Sequence, residues 1–594
     1  MRLLAIGSIV VPIVAGALAW SSPTPARACG GTFCDAGMPM PVDQEGENIL
    51  FVYEAGSIEV HIQIQYTGDP AKFGWVIPLQ ANPDVMAAGS EALFQNILAA
   101  TVPQYGFQTT QDACSDQSTD GFGGGLTGVG GSGDDGGGDT GAGEGGVEVL
   151  SQQQVGAFEI AVLSASSGQE VATWLDDNEY LRDDESIPIL DQYLAEGNVL
   201  AAVRLTDGAG IGEIHPIVFR FTSSEPCVPL RLTRIAAVDD MEIRSFFLGA
   251  ARTVPRTYRH VLVNPLEIDW PNFAANYKEA ITLAVDAESA DGRAFVTEYA
   301  GPSNVVSTFG VFDSSWNADA YRTLEAVAVM DEIKAQGLWA CGFDPFEGIE
   351  TCAFQHPLLM ALMEQYLPLP AGVEFEAFYD CPSCFEGQID LTAWDANAFA
   401  DDIQERVFGP GERATEILRD HPYLTRLYTT ISPGEMTEDP MFWENPALPD
   451  VGNVNQAQQR ILCNGDAIWT LPDGREVYLP SGTPWPDFDG IDGGLEDEPM
   501  QMPVAERISE IPAEGSPMDL VDNSAIIDAK LAAYNRAQGW DGVQPPEGGN
   551  PSAESSDSGC GCRSEGAPAI PTWLVVMIGL GAVVRRRRQP PTLG

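Results

Sequence analysis

The chain has 594 residues, is 44% hydrophobic, and carries 86 acidic against 30 basic side chains, for a formal net charge of −56. That length allows two to four domains, and the apolar share supports a sizeable core. So negative a surface repels phosphate backbones, which argues against nucleic acid as a partner and fits a solvated exterior protein able to recruit divalent cations.

At the front, Arg2 supplies a positive start, Leu3 to Trp20 an apolar core, and Ala26-Arg27-Ala28 a small-residue cleavage pattern before Cys29. Residues 1–28 therefore read as a signal peptide, cut after Ala28 by signal peptidase. A lipoprotein reading of Cys29 is weaker, because Arg27 lies two positions before it and no Leu stands at the third position back. Export makes disulfides the default use of the 11 cysteines. Setting aside Cys560 and Cys562 of the tail leaves nine, an odd number that implies at least one free or modified thiol. Cys29 with Cys34, and Cys341 with Cys352, are close enough in sequence to pair.

The elements follow in order. Asn48 to Tyr53 reads as a strand. Ile58, Val60, Ile62, Ile64 and Tyr66 alternate with Glu59, His61, Gln63 and Gln65, the period-two pattern of a half-buried antiparallel strand with His61 on its solvent side. Gly56 and Ser57 make the turn, and Phe73 to Pro78 a third strand. Ser90 caps a helix whose Leu93, Phe94, Ile97 and Leu98 share one face. Residues 120–146 form a Gly/Asp-rich insert unable to bury apolar area, expected as a disordered surface loop. Strands are predicted at Phe158 to Leu163, Val199 to Leu205, Ile214 to Thr222, Leu230 to Ala236 and Ile243 to Leu248, with a short helix at Glu170 to Asp176.

Helices gain ground later, at Asn317 to Gln336 (the strongest), Leu358 to Tyr366 and Ala398 to Val407. Residues 446–481 hold a hairpin, Ala467 to Leu471 and Glu476 to Leu479 around Pro472-Asp473-Gly474. Residues 482–558, rich in Pro, Gly, Asp and Glu, read as a flexible acidic stalk with one helix at Ser524 to Gln538. The fold class is α+β: a β-rich, antiparallel N-terminal half, a more helical second half, a disordered acidic stalk and a C-terminal hydrophobic helix.

That helix, residues 567–584, precedes Arg585, Arg586, Arg587 and Arg588, a cytoplasmic stop. It is short for an ordinary span, which needs about 20 apolar residues, and Pro568 and Pro571 crowd its start. Gly559-Cys560-Gly561-Cys562, the hydrophobic helix and the arginine cluster resemble the myxobacterial C-terminal sorting signal. The resemblance implies cleavage of residues 559–594 near the cysteine motif by a membrane-embedded myxosortase and retention at the cell surface or outer membrane through the processed end. The alternative is a plain single-span anchor.

A second resemblance runs over residues 29–445. Ala28-Cys29-Gly30-Gly31 with Phe33-Cys34, then Gln63, Tyr66 and Gly68-Asp69, then Phe73, Trp75 and Pro78 are similar to the opening of an uncharacterised bacterial exported-protein family, domain of unknown function 2330. So are Pro226 to Leu232, Phe295 to Tyr299, and Pro422 to Thr429 with Met436 and Asp439-Pro440. The resemblance implies a fold and a location but no activity. Residues 29–445 then form the exported globular region, as one body or two subdomains.

No catalytic set is legible. Cys381-Pro382-Ser383-Cys384 offers a structural disulfide, a redox dithiol or half of a zinc site. Zinc is disfavoured because ten residues separate Cys341 from Cys352 where a second C-x-x-C belongs, and no thioredoxin-like βαβ setting accompanies the motif. The five histidines are scattered, and none begins H-E-x-x-H. Gly130 to Asp135 matches the start of a calcium-binding nonapeptide in a single copy, leaving weak calcium binding as the one cofactor expectation. No G-x-S-x-G elbow or Walker loop occurs. Trp75, Trp174, Trp270 and Trp316 suit a glycan groove or a core. The sequence thus favours a non-catalytic surface protein acting in binding, adhesion or envelope structure. An extracellular hydrolase with an unfamiliar site and a calcium-dependent module are the alternatives.

Overall fold

The computed structural model describes residues 43–67, 74–113, 147–178, 180, 184–206, 209, 211–222, 225–235, 237–344, 349–495 and 498–542. The segments expected as a signal peptide, as a Gly/Asp-rich surface loop (residues 120–146) and, from residue 543 onward, as a sorting signal with a hydrophobic helix lie outside these residues.

Strands β1 (Asp43–Glu54) and β2 (Ser57–Thr67) form a hairpin turned at Gly56, whose φ of 86° suits a residue without Cβ. Next come β3 (Gly74–Leu79), β4 (Val85–Ala88), α1 (Glu91–Thr101) and β5 (Gln104–Gln111). The Ser90 hydroxyl accepts from the Leu93 N–H at 3.2 Å and caps α1. The chain continues through β6 (Glu148–Val155), β7 (Phe158–Ser164), α2 (Gly168–Asp177), α3 (Ile187–Ala195), β8 (Val199–Leu205), β9 (Ile217–Phe221), α4 (Leu230–Thr233) and β10 (Ala237–Gly249). Then follow β11 (Thr253–Pro255), β12 (Arg259–Val263), α5 (Tyr277–Val285) and β13 (Ala294–Pro302). A helical excursion comprises α6 (Val329–Ala335), the hairpin β14 (Trp339–Asp344) and β15 (Ile349–Phe354), α7 (Leu359–Tyr366), α8 (Phe375–Asp380), α9 (Ala396–Ile403) and α10 (Gly409–Asp420). The chain returns through β16 (Tyr423–Ile431), β17 (Phe442–Glu444), β18 (Val454–Ile461), β19 (Ala467–Thr470), β20 (Glu476–Leu479), β21 (Ala505–Glu510), β22 (Met518–Asp522) and α11 (Ser524–Ala537).

The central sheet has ten strands in the order β22-β21-β12-β13-β16-β10-β1-β2-β9-β4. One of its faces packs on the four-stranded sheet β3-β8-β7-β6, with Ile49, Phe51, Ile58, Val60, Phe158 and Phe219 between them. The other face is covered by α1 and α10, through Leu50, Val52, Phe94, Phe246 and Ile417, and by α5, through Ile281 and Ala284. Helices α2 and α3 cover the outer face of the four-stranded sheet through Trp174, Leu175, Leu190 and Tyr193. β1 is accordingly apolar on both faces, as a strand sandwiched between layers must be. Each large side chain that α1 buries, such as Leu93, Phe94 or Ile97, contributes about 1.5–3 kcal/mol. Two further cores stand apart. One lies in the helical excursion around Tyr321, Trp339, Leu362 and Phe399. The other surrounds Trp270 and Trp469, where β18, β19, β20 and β5 form a four-stranded sheet.

The α+β class stands, and several elements differ from expectation. The N-terminal half is not purely antiparallel: β10 pairs parallel to β1 over Asn48–Val52, because the chain passes through the second sheet before re-entering beside β1. Residues 230–236 begin with α4 instead of a strand. The helix expected over 317–336 is split into turns at 318–321 and 326–328 before α6. The Trp394 indole N–H donates to the Leu324 carbonyl at 3.0 Å, taking an acceptor that a continuous helix would use internally. Residues 482–542 are folded and not a stalk. β21 pairs with β12, Ile508 and Ile511 are buried, and α11 packs Ile527 and Leu531 inward. High acidity hid a sparse but correctly spaced apolar set. Among the described residues no helix is long and apolar enough to cross a membrane.

Candidate functional site: a cleft between the two sheets

A cleft opens into the core between the two sheets, a cavity of about 380 Å³. Its walls are Ile58 and Val60 of β2, Phe219 and Phe221 of β9, and Ile77 and Leu79 of β3. Alternation in β2 and β9 aims these side chains inward, and Pro78 stands in β3, an edge strand where its missing N–H is tolerated.

The mouth is polar. Arg231, on α4, lies 4.2 Å over the Tyr193 ring. Its guanidinium donates to Glu196 at 2.7 and 2.6 Å and to Asp439 Oδ2 at 3.0 and 2.9 Å. The Tyr193 hydroxyl and the Arg231 backbone N–H each donate to Asp439 Oδ1 at 3.0 Å. The hydrogen bond to Glu196 raises the Arg231 pKa against the pull of burial, and Asp439 adds to it. Burial raises the Asp439 carboxyl, opposed by its hydrogen bonds from Arg231 and Tyr193. Arg231 thus has both its forks spent on protein carboxylates and holds no free donor pair for an anionic ligand.

Cys227 lines the same cleft and is a free thiol, which agrees with the odd cysteine count. Burial, then the charge of Asp439, push its pKa up, so it stays a neutral thiol, the unreactive form. No histidine lines the cleft. The carboxylates that line the cleft beside Cys227 favour the neutral thiol over the thiolate.

A smaller chamber of about 20 Å³ shares with the cleft the walls Phe51, Val60, Ile62, Ile77, Pro78, Cys227 and Pro229. Glu47 of β1 lines it; the residue is 3% exposed, and its Oε2 has no hydrogen-bond partner among the described residues. Burial pushes the Glu47 pKa up to about 7.

The opposite face of the sheet overturns one expectation. His61 is not solvent-facing: it is 2% exposed and Glu59 beside it 0%. Burial alone would raise the Glu59 pKa. The hydrogen bond and charge from His61, with hydrogen bonds from Arg413 and Arg220, reverse this and hold the carboxyl well below its ordinary range. His61 Nε2 lies 2.9 Å from Oε1, Arg220 Nε donates to Oε2 at 2.8 Å, and Arg413 donates at 3.1 and 2.9 Å. Arg413 also reaches Glu54 at 2.6 Å, tying α10 to β1 and β2. A similar pin joins Arg426 to Glu298, which accepts from the Tyr277 hydroxyl at 2.7 Å. The Pro216 carbonyl, 2.9 Å from His215 Nδ1, and the Ala157 N–H, 3.2 Å from Nε2, fix the orientation of that ring. Burial brings its pKa down to about 4. Burial likewise depresses His260 to about 3 and His356 to about 4.

Of the other residues singled out in the sequence, Cys341–Cys352 and Cys381–Cys384 are disulfides, as expected. Both lie in the helical excursion, away from the cleft-lining residues. Ala28, Cys29, Cys34, Cys560, Cys562 and Arg585 to Arg588 lie outside the described residues, as does the nonapeptide-like Gly130 to Asp135. Trp75, Trp174 and Trp270 are core residues. No group of three or more His, Cys, Asp or Glu placed to hold a metal ion occurs among the described residues. Sequence reading missed Glu47, Tyr193, Glu196 and, as a site residue, Cys227. Its one available signal was that two of the resemblance segments, Pro226 to Leu232 and Asp439-Pro440, contain Cys227, Arg231 and Asp439.

Residues 23–314 match the model of a family described as "Uncharacterized protein conserved in bacteria (DUF2330)". This part of the chain belongs to that family. The DUF2330 match contains Glu47, Tyr193, Cys227 and Arg231 but stops short of Asp439, and β16, which sits between β10 and β13, also lies beyond it. None of the curated proteins matches. Among solved structures, a mutated baculovirus P35 after caspase cleavage is similar at 10% identity, over 37% of this chain and 76% of that one, with a TM-score of 0.21. A likeness that distant carries no argument about fold or function.

Proposed function

We propose that this DUF2330 protein is a non-catalytic binding protein of the bacterial exterior, and that its cleft takes a small apolar ligand that is uncharged or cationic. The observation that carries the reading is the joined pair of an apolar interior and a mouth whose single cleft-facing guanidinium is already neutralised by Glu196 and Asp439. Support for the exterior location comes from the signal-peptide pattern, the tail resemblance and the disulfides Cys341–Cys352 and Cys381–Cys384, which persist in oxidising compartments. On this reading signal peptidase and a myxosortase-like protease trim the ends, and the processed C-terminus stays at the cell surface.

The uncharged dye Nile red tests the binding claim. Full-length protein should bind it with an increase in fluorescence, and Val60→Phe, which fills the cleft, should weaken binding by roughly tenfold while keeping a cooperative thermal transition. Folded wild-type protein that leaves the dye unbound would remove the reading. For location, protease added to intact cells should digest the protein, and its intact mass should lack both end segments.

A further inference from the structure

A carboxyl group inside an apolar sandwich is costly unless something meets it, and buried polar groups are almost always partnered. Glu47 stands between the two sheets, 3% exposed, lining the small chamber, and its Oε2 has no partner among the described residues. Its strand neighbour Ile243 of β10 provides no side-chain donor, and the Thr233 hydroxyl, which also lines the chamber, donates to the Pro229 carbonyl at 3.3 Å. Of the residues around the chamber, Cys227 is the one other titratable group, and it is neutral. The chamber, at about 20 Å³, has room for roughly one water-sized group. It shares seven lining residues with the cleft, so a molecule lying along Ile58, Val60 and Ile77 would point its end toward Glu47.

We infer that Glu47 recognises the inner end of the ligand, and that the cleft selects apolar molecules ending in an uncharged hydrogen-bonding group, such as a hydroxyl, over molecules of the same shape without one. This rests on the apolar-ligand reading above and adds the ligand's chemical class to it. Burial keeps the carboxyl protonated up to about pH 7, and the neutral acid both donates and accepts, matching a hydroxyl on both counts. A carboxylate tip on the ligand would meet no cation in the chamber and is disfavoured.

The test uses full-length protein at pH 6, with 1-octanol and 1-chlorooctane displacing Nile red. These probes share a chain and differ in the terminal hydroxyl. The octanol-to-chlorooctane affinity ratio should fall by roughly fivefold in Glu47→Leu, and stay within about twofold of wild type in Glu47→Gln, which keeps a donor and an acceptor. Glu47→Met replaces Glu47→Leu if the latter does not fold. An unchanged ratio in the apolar variant means that the chamber holds water only, and overturns the inference while leaving the cleft's binding role intact. Failure of both probes to displace the dye from wild type, or a dye that never binds, overturns the inference together with the reading beneath it.

Discussion

Glu47 and Glu59 occupy neighbouring strands of one sheet and are both nearly inaccessible, yet they sit on opposite faces and in opposite electrostatic states. Glu59 faces the helices, and two arginines and a histidine hold it as a carboxylate. Glu47 faces the second sheet, meets no partner, and has its pKa raised to about 7. The first arrangement fixes where α10 docks. The second leaves a hydrogen-bonding capacity beside a cavity, which is where a ligand can supply what the protein does not. Burial alone therefore does not mark a functional carboxylate; burial without partners, next to empty volume, does.

Removing Glu59 should produce the largest effect. Glu59→Leu leaves Arg220 and Arg413 facing each other without their shared anion, and should lower stability by about 3–5 kcal/mol in urea unfolding. A loss of under about 1 kcal/mol would mean that the arginines simply turn to solvent and that the pin is unimportant.

The two residues should then separate by pH. The folded-state pKa of Glu47 is raised, so its contribution is fully present below the unfolded value near 4.5 and is lost as pH rises through about 7. Glu47→Gln should match wild type near pH 4 and exceed it by about 3 kcal/mol at pH 8. The folded-state pKa of Glu59 is depressed, so its stabilisation is present above the unfolded value and fades as pH falls below it. A Glu47→Gln advantage that does not grow with pH would place a cation or a water network beside Glu47 and dissolve the contrast.

Cys227, which walls the Glu47 chamber, gives the smallest and simplest check. Its thiol should react with iodoacetamide at pH 8 at least about tenfold more slowly in native protein than in denaturant, without reductant. Equal rates would show that the chamber opens freely to solvent.

Local patterns carried much of the fold. The β1–β2 hairpin, the Ser90 cap, the 467–479 hairpin, α11 and the two short-range disulfides were legible because each depends on residues close in sequence. The helix at 409–420 was not, since Gly409-Pro410-Gly411 reads as a break. Gly411 is small because a Cβ there would lie 2.1 Å from the Val311 carbonyl oxygen, a neighbour nearly a hundred residues away. The polar row of β2 read as a wet face for the same reason: the helices covering it, α1 and α10, are remote in sequence and unpredictable from alternation alone.

The amino-acid order by itself determined composition, charge, the export and sorting patterns, the α+β class and the family resemblance, because these are properties of short windows or of totals. Only the tertiary structure decided that 482–542 folds, that Glu59 is paired while Glu47 is not, and that Cys227, Arg231, Tyr193 and Asp439 meet at one opening. Those outcomes depend on which surfaces are brought together and on what charge stands within a few ångströms, and pairing of that kind leaves no periodicity in a chain.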